Sequence, residues 1–120
     1  MTTVAHFSAS VPSVAAARRF AASTLADYPA PLKAQVVLMV SELATNAVQH
    51  AHSGFTVTIE EDAGSIRVTV RDAGGGHPQV RAPGPTELRG RGLMIVEAIA
   101  EDWGVDERSD AKAVWFAVPA

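Results

Sequence analysis

Ser41-Glu42-Leu43-Ala44-Thr45-Asn46-Ala47-Val48 is the middle of what reads as the longest helix of the chain. Leu32, Val36, Val40, Leu43, Ala47 and Ala51 recur around it at helical spacing, which predicts a helix from about Ala30 to about Ala51 with that face in a core. Glu42 and Asn46 are four residues apart, so they stand one above the other on another side of the helix. A carboxylate and an amide so placed can share one bound ion or ligand. Glu42, Thr45, Asn46 and Gln49 would ordinarily form a solvated stripe, but Leu38 and Met39 interrupt it, so something should cover it in part.

Upstream, residues 4–9 read as a short first strand. Pro12 suits the first turn of a helix capped by Ser10 or the neighbourhood of Val11. From Ser13 to Ala26 the chain is alanine-rich, with Val14, Ala17, Phe20, Ala21 and Leu25 at helical spacing, and Pro29 and Pro31 mark its end. His50 and His52 close the long helix. A two-residue separation points them apart on a helix, so they read as partners of its C-terminal dipole rather than as a metal pair.

Two alternating stretches follow, Phe55-Thr56-Val57-Thr58-Ile59-Glu60 and Ile66-Arg67-Val68-Thr69-Val70-Arg71, around a turn containing Gly64. Period-two patterning with one polar face predicts an antiparallel hairpin wet on one side. Counting 66, 68, 70, 72 puts the Asp72 carboxylate on the inward face, where it needs a hydrogen-bond donor. Taken alone, Asp72 followed by glycines is as well read as the opening of a turn.

From Gly74 to Arg89 there are three prolines and no periodic pattern. A loop of that length in a small domain reads as functional, often a lid. It ends at Gly90-Arg91-Gly92, from which Leu93, Ile95, Val96 and Ile99 continue at helical spacing. Glycines opening a helix expose backbone N–H groups at its positive end, an arrangement suited to phosphate, although a plain helix start has the same sequence. Ile95 stands where a dinucleotide fingerprint would need its third glycine, so that motif does not fit. Trp103 and Val105, then Val114, Phe116 and Val118, predict a second hairpin.

At 120 residues the chain fits one domain over 1–120, able to bury roughly two-thirds of the surface its unfolded form exposes. Hydrophobic residues at 48% against charged residues at 19% are a globular balance, for a domain that folds alone or as a small oligomer such as a homodimer. A net charge of -3 and a pI near 5.7 disfavour nucleic acid. Without cysteine there is no disulfide frame, thiolate metal site or cysteine nucleophile. The longest apolar run, Val36 to Val40, is too short for a bilayer, and the first residues lack a basic segment followed by an apolar one, so the expected location is cytoplasmic with no membrane contact.

In combination, the helix with Glu-Leu-x-x-Asn-Ala, the inward Asp-x-Gly-x-Gly after a strand, the intervening loop and the Gly-x-Gly-Leu helix start resemble the GHKL (histidine kinase-like) ATPases. The wording of residues 41–50 and of Ala113-Val114-Trp115-Phe116 is similar to that of bacterial anti-sigma factor serine/threonine kinases and stand-alone ATP-binding relatives. The resemblance implies an α/β two-layer sandwich of the Bergerat type, a mainly antiparallel mixed sheet with helices on one face and ATP between helices and lid. It implies Asn46 as the Mg²⁺ ligand, Glu42 as the catalytic group polarising the attacking hydroxyl, and Asp72 as acceptor from the adenine amino group. Gly74 and Gly76 would let the backbone approach the base, and Gly90, Arg91, Gly92 and Leu93 would bind the rest of the nucleotide. Arg89 or Arg91 could contact a phosphate or be a solvated loop arginine.

The residue types suit that chemistry: Mg²⁺ keeps much of its water and needs few protein oxygens, and phosphoryl transfer depends mostly on positioning and charge neutralisation. These 120 residues hold no phosphoacceptor-histidine hairpin and no transducer, so the expected substrate is a separate protein. The implied function is an ATP-dependent serine/threonine protein kinase that binds a sigma factor and phosphorylates its antagonist. The alternative is a binding module in which nucleotide sets partner affinity without transfer. A purely structural adaptor would make three motifs coincidental.

Overall fold

The computed structural model describes residues 1–50, 54–72, 93–108 and 111–120. Strand β1 (Thr2–Phe7) leads to helices α1 (Pro12–Thr24) and α2 (Ala30–His50), then to strands β2 (Phe55–Asp62) and β3 (Ser65–Asp72). Residues 93–99 form helix α3, and strands β4 (Asp102–Arg108) and β5 (Ala111–Pro119) follow. The sheet order is β1-β2-β3-β5-β4. Each pairing among the described residues is antiparallel, so the mainly antiparallel sheet expected from the resemblance contains no parallel pair there.

Alternation builds the inner layer. Phe55, Val57 and Ile59 of β2, Ile66, Val68 and Val70 of β3 and Val114, Phe116 and Val118 of β5 are all buried on one face of the sheet. Register makes them rows: Val57 opposes Val70, Val70 opposes Val114, and Val68 opposes both Ile59 and Phe116. The other face carries Thr56, Thr58, Arg67, Thr69 and Trp115. There the Arg67 guanidinium lies 4.1 Å from the centroid of the Trp115 ring. Gly64 takes φ 84° in the β2–β3 turn, a left-handed conformation that explains a glycine at that position.

The helices cover the apolar face. Ala17, Ala21 and Leu25 from α1 and its C-cap join Val36, Met39, Val40, Leu43, Ala44 and Ala47 of α2, and Leu93 and Val96 of α3, in one core. Small alanines let α1 approach α2 closely, and α2 packs on α1 as well as on β2 and β3. That double packing broadens its buried face beyond the expected stripe: Met39 and Ala44 are fully buried, whereas Leu38 is 42% exposed and Leu32 only half-buried. Leu38 and Met39 therefore do not act alike. No helix among the described residues is long and apolar enough to cross a membrane.

Local chemistry sets the boundaries. Pro12 occupies the start of α1, with Val11 at the N-cap and no side-chain cap; Ser10 instead exchanges a hydroxyl contact with Ser13 at 3.2 Å. The Tyr28 hydroxyl, between α1 and α2, donates to Glu61 Oε1 at 3.1 Å. That bond, then burial and the Glu61 charge, hold the phenol above its ordinary pKa, because ionising it would lose the bond and oppose a carboxylate.

Strand β1 begins at Thr2 rather than at residue 4. Its side chains are only weakly apolar, so its extent follows from pairing along the whole of Thr2–Phe7 with β2. Phe7 anchors it, stacked on Phe55 at 5.3 Å between centroids and edge-on to Phe20 at 6.1 Å. Gly54 permits this contact, since a methyl group there would overlap the Phe7 carbonyl oxygen. Gly54→Ala should destabilise the fold by about 1–3 kcal/mol, the usual cost of overpacking. Urea denaturation checks this, and an unchanged midpoint would show that β1 can retreat without loss.

Candidate functional site

Side chains from segments far apart in sequence meet against the core. A cleft there is lined by Leu43, Asn46 and Ala47 of α2, Val70 and Asp72 of β3, Leu93 of α3, and Lys112 and Val114 of β5. Helix periodicity puts Leu43, Asn46 and Ala47 on one side of α2, and strand parity puts Val70 and Asp72 on the side of β3 that faces it. The walls are apolar and the polar groups few, the usual composition of a small-molecule site.

Asp72 is the one buried charged side chain among the described residues, 9% exposed. It ends the inward column Ile66, Val68, Val70, as the period-two count predicts. A bare carboxylate among valines would be costly, so the position demands donors. Register supplies a cation: Asp72 opposes Lys112 on β5, and opposed residues share a face. Lys112 is half-buried and lines the same cleft, and neither side chain is without an interaction partner.

Asn46 is half-buried at the edge of the buried face of α2. The stripe to which it belongs is thus partly covered, as the interruption by Met39 suggests. Thr45, half-buried in that stripe, donates its hydroxyl to the Ser41 carbonyl at 2.8 Å, which occupies it within the helix. Glu42 lies one turn before Asn46, half-buried and engaged with a partner, but does not line the cleft.

Of the residues singled out from sequence, the structure therefore brings together Asn46, Asp72 and Leu93, with Glu42 one helical turn away. Gly74, Gly76, Arg89, Gly90, Arg91, Gly92 and His52, and the expected lid between Gly74 and Arg89, lie outside the described residues. Sequence reasoning missed Lys112 altogether. The signal was available: the alternation Val118, Phe116, Val114 extended by one step reaches it.

The donor set fits a purine nucleotide. The apolar side chains can flank a flat ring, Asp72 can accept from an amino group, and the Asn46 amide oxygen is a hard ligand of the kind Mg²⁺ takes.

In sequence the chain is similar to SCO4941, an uncharacterised protein of Streptomyces coelicolor, with 35% identity over 81 residues that make up 62% of this chain and 76% of that protein. In fold it is similar to the crystal structure of the RsbU and RsbW domains of Rv1364c from Mycobacterium tuberculosis, with a TM-score of 0.74 over 97% of this chain and 19% sequence identity. The chain spans only 32% of that longer protein, and at such identity the likeness speaks for the fold alone. Residues 7–118 match the family model of the histidine kinase-like ATPase domain, and with the layering and cleft described above this shows that the chain belongs to that family.

Proposed function

We propose that the protein is an ATP-binding regulator of the anti-sigma factor type that uses Mg-ATP to phosphorylate a protein antagonist on serine or threonine. The observation that carries this reading is the convergence of Asn46, Asp72 and Leu93, one from each of three motifs, on a single cleft. The family assignment supports it, and the likeness in fold to a protein with an RsbW domain directs attention to sigma factors and their antagonists as partners. The acidic balance, with net charge -3, agrees with a protein rather than a nucleic acid as target.

In this reading Asp72 accepts a hydrogen bond from the adenine amino group, held toward the cleft by its place in β3. The Asn46 amide oxygen would be the protein's ligand to Mg²⁺, an ion that would offset the charge of the phosphates. Gly74, Gly76, Gly90, Arg91 and Gly92 are assigned to the nucleotide on their motifs alone. Glu42 takes the proton from the partner's hydroxyl as its oxygen bonds to the γ-phosphorus and the bond to the β-phosphate oxygen breaks, leaving ADP. The pairing of Glu42 with Asn46 at one helical turn keeps proton acceptor and metal ligand together.

Saturating Mg-ATP should raise stability by about 2.7 kcal/mol at one hundred times Kd, read as a shift in melting temperature. No shift with ATP, ADP or a non-hydrolysable analogue would remove the nucleotide from the reading. Asp72→Ala should weaken ATP binding by about 1.5–3 kcal/mol or more, the worth of a hydrogen bond to a charged group. Calorimetric titration measures it, and unchanged affinity would reduce Asp72 to a turn residue.

Glu42→Gln should preserve ATP affinity and reduce phosphate incorporation into a cognate antagonist by about 10² to 10⁴, because the amide keeps the shape and loses the proton acceptor. Asn46→Ala should lose both binding and transfer. Equal transfer by parent and Glu42→Gln would take Glu42 out of the mechanism. Intact ATP binding by the parent with no transfer to a verified partner would favour the nucleotide-controlled binding module.

A further inference from the structure

The inner face of the sheet changes character in one row. Along β3 and β5, Ile66 opposes Val118, Val68 opposes Phe116 and Val70 opposes Val114, all buried and apolar, and then Asp72 opposes Lys112. Opposed residues have Cβ atoms about 4.5–5.5 Å apart, so the two side chains leave the sheet as neighbours on one face. Both line the cleft, across from Asn46 and Leu93.

We propose that Lys112 is a base-selecting residue, donating to the ring nitrogen N1 of adenine; this rests on the nucleotide reading given above, in which Asp72 accepts from the adjacent 6-amino group. The two side chains are complementary in kind. An ionised carboxylate only accepts, and an ammonium only donates through its three N–H groups. The adenine edge presents a donor beside an acceptor, and hydrogen bonding to that edge is how proteins read an unpaired base. Asp72 alone would answer half of it and leave N1 facing an apolar wall or water. Lys112 is half-buried and lines the cleft, and a donor in such partly desolvated surroundings counts for more than one on an exposed lysine.

The test compares ATP with 1-deaza-ATP, in which N1 is replaced by C–H, on the full chain. Calorimetric titrations of the parent, Lys112→Met and Lys112→Ala would be read beside melting curves that confirm folding. The parent should prefer ATP by about ten- to a hundredfold, the range for a charge-assisted hydrogen bond. Lys112→Met should bind ATP as weakly as the parent binds 1-deaza-ATP and should no longer distinguish the two, and Lys112→Ala should behave alike. Equal binding of the two nucleotides by the parent overturns the assignment without recourse to any variant. A Lys112→Met protein that binds both more weakly yet still prefers ATP also overturns it, because Lys112 would then only orient Asp72. A parent that binds neither nucleotide defeats the nucleotide reading itself.

Discussion

The pairing of β3 between β2 and β5 is the constraint from which both the core and the cleft follow. A central strand has no freedom to slip by one residue, because a slip would turn Ile66, Val68 and Val70 outward and leave the helices facing Arg67, Thr69 and Arg71. Burying three branched side chains is worth about 1.5–3 kcal/mol each, more than enough to fix the register. Asp72 is carried inward by that register. A carboxylate is unfavourable there on its own account and needs a partner; Asp72 has one, and Lys112 stands opposite it on the same inner face.

Helix α2 is the second wall, and its sequence answers two neighbours at once. Val36, Met39, Val40, Leu43, Ala44 and Ala47 fill the space between α1 and the sheet, so the buried face is broad and Asn46 sits at its margin. An asparagine fully inside that face would need every polar atom satisfied by protein. One fully outside it could not reach the cleft. The margin lets Asn46 line the cleft while α2 is held by packing on both α1 and the sheet.

Much of this was legible in the sequence because short-range periodicity is strong where an element is buried on one side only. The strict alternation in Phe55–Glu60 and Ile66–Arg71 foretells the hairpin, the wet outer face and the inward Asp72. The helical spacing from Leu32 to Ala47 foretells α2. Long-range facts left weaker traces. That β5 rather than β4 pairs with β3 is decided by tertiary pairing, and without that register Lys112 has no evident relation to Asp72. Met39 and Leu38 are adjacent and similarly apolar, but Met39 shares the buried face of Val36, Val40 and Leu43 while Leu38 points away from it. The extent of β1 was obscured because Thr2 and Thr3 are strand residues by virtue of their partners Glu60 and Ile59.

The placement of Glu42 bears on how such a site divides its work. Asp72, Asn46 and Lys112 line the cleft, whereas Glu42 stands one turn back along α2 and outside its lining. A residue that only helped to bind a base would gain nothing from that position. The proposed proton acceptor would use it, because an attacking hydroxyl reaches the phosphate from the side opposite the leaving group and therefore from beyond the nucleotide. About one helical turn separates Glu42 from Asn46 on a helix that packs against both α1 and the sheet. Under the proposed function, recognition of the base would fall to the sheet and positioning for transfer to the helix, so substitutions on β3 and β5 should act on affinity and substitutions at Glu42 on rate.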